Sequence, residues 1–429
     1  MLHVIVMANT PSIIDAWMLV KGVAFRLSSE LPPEAISLLC DFRLAVNKAV
    51  RAGLDARVSS RNGITKLLYR AFREEHPGMY SQHLVSSFEV AAGILKNHRK
   101  RLRHGRRCET PFVKRLMMKA ENQAYKLDRT EGMIDLPIRA GCHVKLGLVV
   151  SRYHRRYLND ETLSLGSLTI LPDRVIIAFR KEAPKPSAVS SVLSLDTNER
   201  SLDGIFVEGG QKGNGRSIQV EAAFPDVAAI QQLHHVRRRR LQKKKAHDRR
   251  LARALCRREG AREHHRIDYR LHRAANAVIE FAEGCESAIV LEDPRGMRPN
   301  RSKDLNRRLS LWPRRKLHQI IEYKAAWKGI PVIKVDPSYS SRRCSACGRI
   351  PDSRMGTRAE FVCECGWHLN RHVNASMNLL QTAISKGLEV AGGLRFSPGA
   401  FQHDVMMTLY EPAMAARSEL NGTSHVGMT

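Results

Sequence analysis

Four of the nine cysteines in this 429-residue chain are confined to one short stretch, as Cys344-Ser345-Ala346-Cys347 and Cys363-Glu364-Cys365-Gly366. A Cys-x-x-Cys knuckle offers two thiolates from one tight turn, and Gly348 and Gly366 relieve the backbone just after each pair. Four soft donors in two close pairs suit a tetrahedral Zn2+ site, and a full set of thiolates leaves no open position for catalysis, so the expected role is structural. The second pair is one residue shorter than the usual knuckle, which changes the turn but still permits a tetrahedron. The competing reading is four free thiols in a reducing compartment. The remaining cysteines (Cys40, Cys108, Cys142, Cys256 and Cys285) are scattered singly. An odd total with one tight cluster fits a reduced environment better than a disulfide scaffold.

Charge narrows the choice of partner. Lys and Arg number 71 against 42 acids, a formal net charge of +29. Such a surface repels itself unless a polyanion shares it, and nucleic acid is the usual one because phosphate neutralisation releases counterions. A membrane is the rival, but Met1 to Val20 is broken by Asn9, Pro11 and Asp15, and no other apolar run is long enough to span. The stretch does not read as a signal peptide either, so no membrane association and a cytoplasmic location are expected. The length calls for two or three domains, and a hydrophobic content of 43% supports ordinary globular folding.

Along the chain, Val20 to Leu27 alternates like a strand. Helical spacing follows over Glu34 to Ala56 and over Ile64 to His98, with an interruption near Pro77 and Gly78, ending in the basic run Lys96 to Arg107. Short alternating runs at Ala124–Leu127, Met133–Leu136, His143–Val150, Ser167–Leu171 and Arg174–Arg180 predict antiparallel strands of a small barrel or sandwich. Lys181 to Ser190, with Pro184 and Pro186, reads as a linker. Beyond it come strands at Ser191–Leu195, Ile205–Glu208 and Ser217–Ala222, one long basic helical region over Asp226–Ala282, and a strand at Ser287–Leu291. A helix over Pro313–Lys328, a strand over Pro331–Val335 and a last helix over His372–Lys386 complete the pattern; after Gly392 no element is legible.

Two apolar strands end in a carboxylate: Leu193-Ser194-Leu195-Asp196 and Ile289-Val290-Leu291-Glu292. Converging at an open sheet edge, such a pair could hold Mg2+ or Mn2+ for phosphodiester hydrolysis, though acids at strand ends are common and alone define no site. Between them lie Arg237, Arg238, Arg239, Arg240, Lys243, Lys244, Lys245, Arg249 and Arg253, followed by further arginines as far as Arg273. Such a run is often just a solvated helix face. At this density, on every face and in so basic a chain, it reads as backbone contact with nucleic acid, for which the guanidinium fork is well shaped. His264 and His265 within it read as solvated.

The order Leu195-Asp196-Thr197-Asn198-Glu199, Val290-Leu291-Glu292-Asp293-Pro294-Arg295-Gly296-Met297-Arg298, Asp336-Pro337-Ser338-Tyr339-Ser340-Ser341-Arg342-Arg343-Cys344 through Gly348, Cys365-Gly366 and Arg371-His372-Val373-Asn374-Ala375-Ser376 resembles the TnpB (OrfB) proteins of insertion sequences, compact relatives of type V CRISPR effectors. The early motif Phe42-Arg43-Leu44-Ala45-Val46-Asn47-Lys48 is similar to the family as well. The resemblance implies a mixed α/β multidomain protein. A wedge-like β-barrel (20–183) with a helical insert (about 34–110) comes first. A RuvC-like, RNase H-type domain (191–343) follows, with a zinc ribbon (344–365), a C-terminal helix (366–390) and a tail (391–429). It also implies a guide RNA, a DNA target and a metal site of three acids, of which Asp196 and Glu292 match the first two. At the third, where the family has Asp-Arg-Asp-x-Asn-Ala, this chain has Asn370-Arg371-His372-Val373-Asn374-Ala375. Magnesium prefers oxygen ligands, so His372 is either a retained but altered ligand or a helix-start residue in a silent nuclease. Three functions remain: an RNA-guided, metal-dependent endonuclease, a nuclease-dead guided DNA-binding protein or repressor, and, least favoured, a strand transferase of the transposase class. No Tyr-His-x-His-type nucleophile site supports the last.

Overall fold

The computed structural model describes residues 18–106, 108–139, 141–185, 188–209, 217–293, 313–351, 357, 359–390, 396–398 and 401–410. The motif residues Pro294 to Arg298, with Arg107, Pro186 and most of the expected tail, lie outside the described residues. The chain divides into two units, Met1–Glu182 and Ala183–Thr429. No helix among the described residues is long and apolar enough to cross a membrane.

The first unit is a seven-stranded antiparallel sheet with helices between its first two strands. In chain order these are β1 (Met18–Leu27), α1 (Pro33–Asp55), α2 (Arg61–Glu75), α3 (Ser81–Arg103), β2 (Met118–Ala120), β3 (Lys126–Asp128), β4 (Met133–Arg139), β5 (Cys142–Val149), α4 (Arg152–Leu158), β6 (Ser164–Leu171) and β7 (Arg174–Glu182). The sheet order is β2-β6-β7-β1-β5-β4-β3. Alternation sets its inner face: Val23 and Phe25 on β1 and Val175, Ile177 and Phe179 on β7 are all buried. Proline at the first helical position opens α1, and the Ser60 hydroxyl accepts from Gly63 N to cap α2. Leu38, Leu39, Phe42, Ala45, Val46 and Ala49 form the buried stripe of α1, which packs on α3 through Leu84, Phe88, Ala91 and Leu95.

Helix α4 was not legible in the sequence. Its residues have no apolar period; a local capping box of Ser151 and His154 starts it, and a tertiary contact helps to hold it, the His154 ring stacked on Phe25 with centroids 4.4 Å apart.

The second unit contains β8 (Ser191–Thr197), β9 (Ser201–Glu208), β10 (Ser217–Ala223), α5 (Asp226–Lys244), α6 (Arg249–Gly284), β11 (Ser287–Glu292), α7 (Arg314–Lys328), β12 (Val332–Val335), β13 (Glu360–Val362), β14 (His368–Asn370), α8 (Arg371–Ser385) and β15 (Gln402–Tyr410). Its six-stranded mixed sheet runs β12-β11-β8-β9-β10-β15. The first three are mutually parallel, and β9 is antiparallel to both β8 and β10. Both faces are covered. Leu193, Leu195, Ile289 and Leu291 point into a core with α6 and α7, whereas Val192 and Val290 point into a second core with α8. Double burial explains why β8 and β11 read as nearly continuous apolar runs.

Two expectations change here. The long basic helical region is two helices, divided at Lys245–Asp248, where the Asp248 carboxylate accepts from Leu251 N and starts α6. The expected tail also supplies a strand: β15 runs parallel to β10, and Val405 and Leu409 pack on the core. Its own pattern is weak, and the exposed sheet edge provides the order.

One buried group gives the first unit an acid sensitivity. His83 in α3 is fully buried; its Nε2–H donates to Pro137 O at 2.7 Å, and its Nδ1 is buried without a partner. Burial holds its pKa down at about 4. Above about pH 6.5 the imidazole is neutral whether folded or unfolded, so it has no linkage effect there. Below that, the unfolded chain takes up the proton first, and folding weakens until the pH reaches the folded value. Relative to a His83→Gln variant, wild-type stability should therefore fall by up to about 3 kcal/mol between pH 7 and pH 4 in denaturant titrations. A pH-independent difference would contradict this.

Candidate active site and candidate metal centre

β8 and β11 are parallel neighbours in the register Leu195↔Leu291, so their next residues, Asp196 and Glu292, end adjacent strands. Counting alternately from Val192 and Val290, both carboxylates lie on the face covered by α8. Glu292 is 5% exposed, and its pKa is pushed up to about 7. Desolvation is the larger cause and the negative charge of Asp196 the second; Arg314 opposes both, its Nη1 lying 3.2 Å from Oε1. His372 Nδ1 sits 2.9 Å from Asp196 Oδ2. Burial disfavours the imidazolium, but the Asp196 hydrogen bond and the charges of Asp196 and Asp203 outweigh it, so the His372 pKa is raised. Asn370 serves here as the N-cap of α8, its side-chain oxygen accepting from His372 N at 2.8 Å. Next to Asp196, Thr197 Oγ1 meets His318 Nε2 at 2.8 Å, and burial keeps the His318 pKa down at about 3.

A third carboxylate was missed by the sequence reading. Asp203 on β9 stands directly opposite Asp196 in the antiparallel register and is 8% exposed. It accepts from Ser201 Oγ at 2.6 Å and from Asn198 Nδ2 on the same oxygen, Oδ2. Burial is the first cause of its raised pKa. The available signal was an acid in period-two phase with the buried Ile205 and Val207, on the same face of β9. The centre thus holds Asp196, Asp203 and Glu292, with the His372 imidazole and the Arg314 guanidinium against them. Carboxylates suit a hard divalent ion, and their mutual repulsion in a poorly solvated site is what such an ion relieves. The imidazole suits Mn2+ better than Mg2+.

The cysteines converge more tightly. Among the described residues, they are the group of three or more His, Cys, Asp or Glu side chains whose donor atoms all lie within 4.8 Å of one another. Cys344 Sγ is 3.7 Å from Cys365 Sγ, and Cys347 Sγ is 3.7 Å from Cys363 Sγ, too far for disulfides and fitting for a shared ion. Gly348 and Gly366 adopt φ of 76° and 85°, left-handed values that a side chain would strain. Burial pushes the Cys344 thiol up to about 12, whereas a hydrogen bond from the Arg349 backbone brings Cys347 down to about 7. A bound ion would hold both as thiolates. The first knuckle is fastened to α8: Asn374 Oδ1 accepts from Ser345 N at 3.0 Å, and its Nδ2 donates to Arg343 O at 2.8 Å. Gln381 Nε2 donates to Ser345 O at 2.9 Å.

The basic array serves two purposes. Arg238 is bound to Glu263, and Arg237 Nη1 lies 3.5 Å from Glu259, which also meets the buried His234 at 2.8 Å. These contacts join α5 to α6. Arg239, Arg240, Lys243, Lys244, Lys245, Arg249 and Arg253 have no ion-pair partner among the described residues, and all but the half-buried Lys245 are exposed. His264 and His265 are exposed, as expected.

Residues 315–379 match the family "Cas12f1-like, TNB domain", and residues 38–134 match the "Uncharacterized protein MJ0013 family". The chain is 28% identical to the TnpB-like protein MJ0751 of Methanocaldococcus jannaschii over 57% of this chain and 88% of that protein. It is 38% identical to the CRISPR-associated endodeoxyribonuclease Cas12f1 of Sulfoacidibacillus thermotolerans, over 27% of each chain. Among solved structures, a Cas12f1–sgRNA–target DNA complex aligns with TM-score 0.51 at 14% identity, covering 81% of this chain and 82% of that one. The mini-RNA-guided endonuclease CRISPR-Cas_phi3 aligns with TM-score 0.52 at 10% identity, covering 89% and 94%. The fold is therefore the mixed α/β fold of these compact effectors. By sequence the chain is a homologue of the TnpB-like proteins and a relative of the Cas12f effectors.

Asn374 is fully buried, and its removal would orphan Ser345 N, while Arg343 O would keep the hydrogen bond from Asn378 Nδ2 at 2.7 Å. Asn374→Ala should cost about 1–3 kcal/mol in chemical unfolding and speed the reaction of the Cys344 and Cys347 thiols with a thiol reagent. Unchanged thiol reactivity would show that the knuckle does not depend on this anchor.

Proposed function

We propose that the chain is a transposon-type, TnpB-like RNA-guided DNA-binding protein with a metal-dependent DNA endonuclease centre of RuvC type. In this reading Asp196 and Glu292 are the metal-binding acids and His372 occupies the third position. The observation that carries it is the placement of Asp196 and Glu292 at the ends of adjacent parallel strands, with Glu292 pushed up to about 7 partly by its neighbour's charge. Bound Mg2+ or Mn2+ would supply an activated water and stabilise the leaving oxygen. The chain's own part is to hold the ion on rigid strand ends and keep the site poorly solvated.

The seven-stranded sheet would be the wedge-like barrel of residues 20–183, with the helical insert at about 34–110. Residues 191–343 and 366–390 would form the RuvC-like domain, and 344–365 the zinc ribbon, with structural Zn2+ on Cys344, Cys347, Cys363 and Cys365. The unpaired basic residues of α5 and α6 would hold guide RNA and DNA by their backbones, while base pairing reads the sequence. A cytoplasmic location fits these partners.

A second reading, a nuclease-silent guided DNA-binding protein, is favoured by a specific feature. Asp196 is hydrogen-bonded to His372 and Glu292 to Arg314, so each acid already has a protein partner that a metal ion would have to displace.

The full chain with its co-purified RNA should cut matching DNA faster in Mn2+ than in Mg2+, and His372→Asp should raise the Mg2+ rate. Asp196→Ala should abolish cutting and leave binding intact. Guided binding without cleavage in either metal would overturn the endonuclease and leave the silent reading standing.

Binding should also weaken steeply with salt, with a log–log slope of several units. Charge reversal at Arg239, Arg240, Lys243 and Lys244 should reduce that slope, while Arg238→Glu should mainly lower stability because its partner is Glu263. Salt-insensitive binding would contradict the interface.

A further inference from the structure

The motif Phe42 to Lys48 takes no part in the nuclease centre, and its geometry gives it another task. Phe42, Ala45 and Val46 are core residues of α1. Its polar members hold a strand-free segment of the same unit. Asn47 closes a two-bond clamp on Val113, with Nδ2 donating to Val113 O at 3.1 Å and Oδ1 accepting from Val113 N at 2.8 Å. Arg43 Nη1 donates to Lys114 O at 3.2 Å.

Immediately before this clamped dipeptide stands Phe112, 66% exposed, the most exposed large hydrophobic residue among those described. No aromatic or cationic side chain covers its ring among the described residues. A phenylalanine on an unrestrained loop would fold back against apolar surface to escape water. Here three hydrogen bonds from α1 fix the backbone beside it, and Pro111 limits the backbone before it, so the ring is held outward. Its chain neighbours Lys114 and Arg115 are both exposed. An apolar protein partner is poorly served by adjacent solvated cations. An aromatic face next to cations suits a nucleobase, which presents a π-face with its phosphate close by. Bases inside a duplex hide their faces in the stack, so the ring calls for an unpaired one.

We propose that Phe112 is a stacking platform for an unpaired nucleobase, with Lys114 and Arg115 taking the flanking phosphates. The inference rests on the nucleic-acid reading above. The test uses the full chain and three labelled probes of about 20 nucleotides: single-stranded RNA, single-stranded DNA and duplex DNA. Affinities are measured over a salt series by fluorescence anisotropy.

Phe112→Ala should weaken binding to a single-stranded probe about tenfold, and whichever strand suffers identifies RNA or DNA as the source of the base. Phe112→Trp should retain affinity. Because no charge is removed, the salt slope should be unchanged in both variants, whereas Lys114→Gln with Arg115→Gln should reduce it. Wild-type affinity of Phe112→Ala for both single-stranded probes would overturn the proposal, as would a loss confined to the duplex. A loss accompanied by a lowered Tm would also overturn it, because it would assign the ring a structural role. If the wild-type chain binds none of the probes, the nucleic-acid reading itself fails, a result distinct from an unaffected variant.

Discussion

The parallel pairing of Ser191–Leu195 with Ser287–Leu291 is the constraint on which the second unit depends. Both strands are buried on both faces, so their register cannot slip by one residue without turning every apolar side chain to the wrong core. The neighbouring strand approaches just as closely: a Cβ on Gly204 would sit 2.0 Å from Ser194 O. Ser194 Oγ in turn donates to Ser376 O and ties the central strand to the C-terminal helix. Asp196, Asp203 and Glu292 are thus carried by one of the least deformable parts of the chain. A site that must hold charge in a fixed geometry gains from such support.

Rigid placement has an electrostatic cost. Carboxylates taken out of water beside one another resist ionisation, and the rise of Glu292 to about 7 expresses that conflict. The protein offsets part of it with His372 and Arg314. The basic hairpin solves the opposite problem. Among so many like charges, the nearly buried Glu259 and Glu263 take up Arg237 and Arg238 and join the two helices, which leaves the cations farther along free to face a polyanion. Even in a chain of net charge +29, then, buried acids govern the local arrangement.

Legibility in the sequence followed physical cause. β8, β11 and the stripes of α1 and α8 were readable because burial imposes a period on them. The cysteine group was readable because its two close pairs have the spacing that a tetrahedral ion would require, and the four sulfurs do converge. What escaped was set by contacts distant in sequence. Helix α4 depends on Phe25 and β15 on the edge of β10, whereas the break between α5 and α6 turns on a local cap, Asp248, set within an unbroken basic run. Asp203 precedes the strand that the sequence marks at Ile205–Glu208; the observed strand begins at Ser201, which sets Asp203 opposite Asp196. Asn370, which stands where the family has an acid, is a helix cap. Arg237 and Arg238 looked like their neighbours until Glu259 and Glu263 were found against them.

The central claim is that sequence recognition is delegated to a bound RNA while this chain supplies the scaffold. The direct measurement is to sequence the RNA that co-purifies with the full chain, then compare binding to DNA that matches its variable end and to a scrambled duplex of equal length. The account predicts one discrete, enriched RNA and clear preference for the matching DNA, lost when the RNA is removed. A heterogeneous RNA population, or equal binding to matched and scrambled DNA, would contradict it.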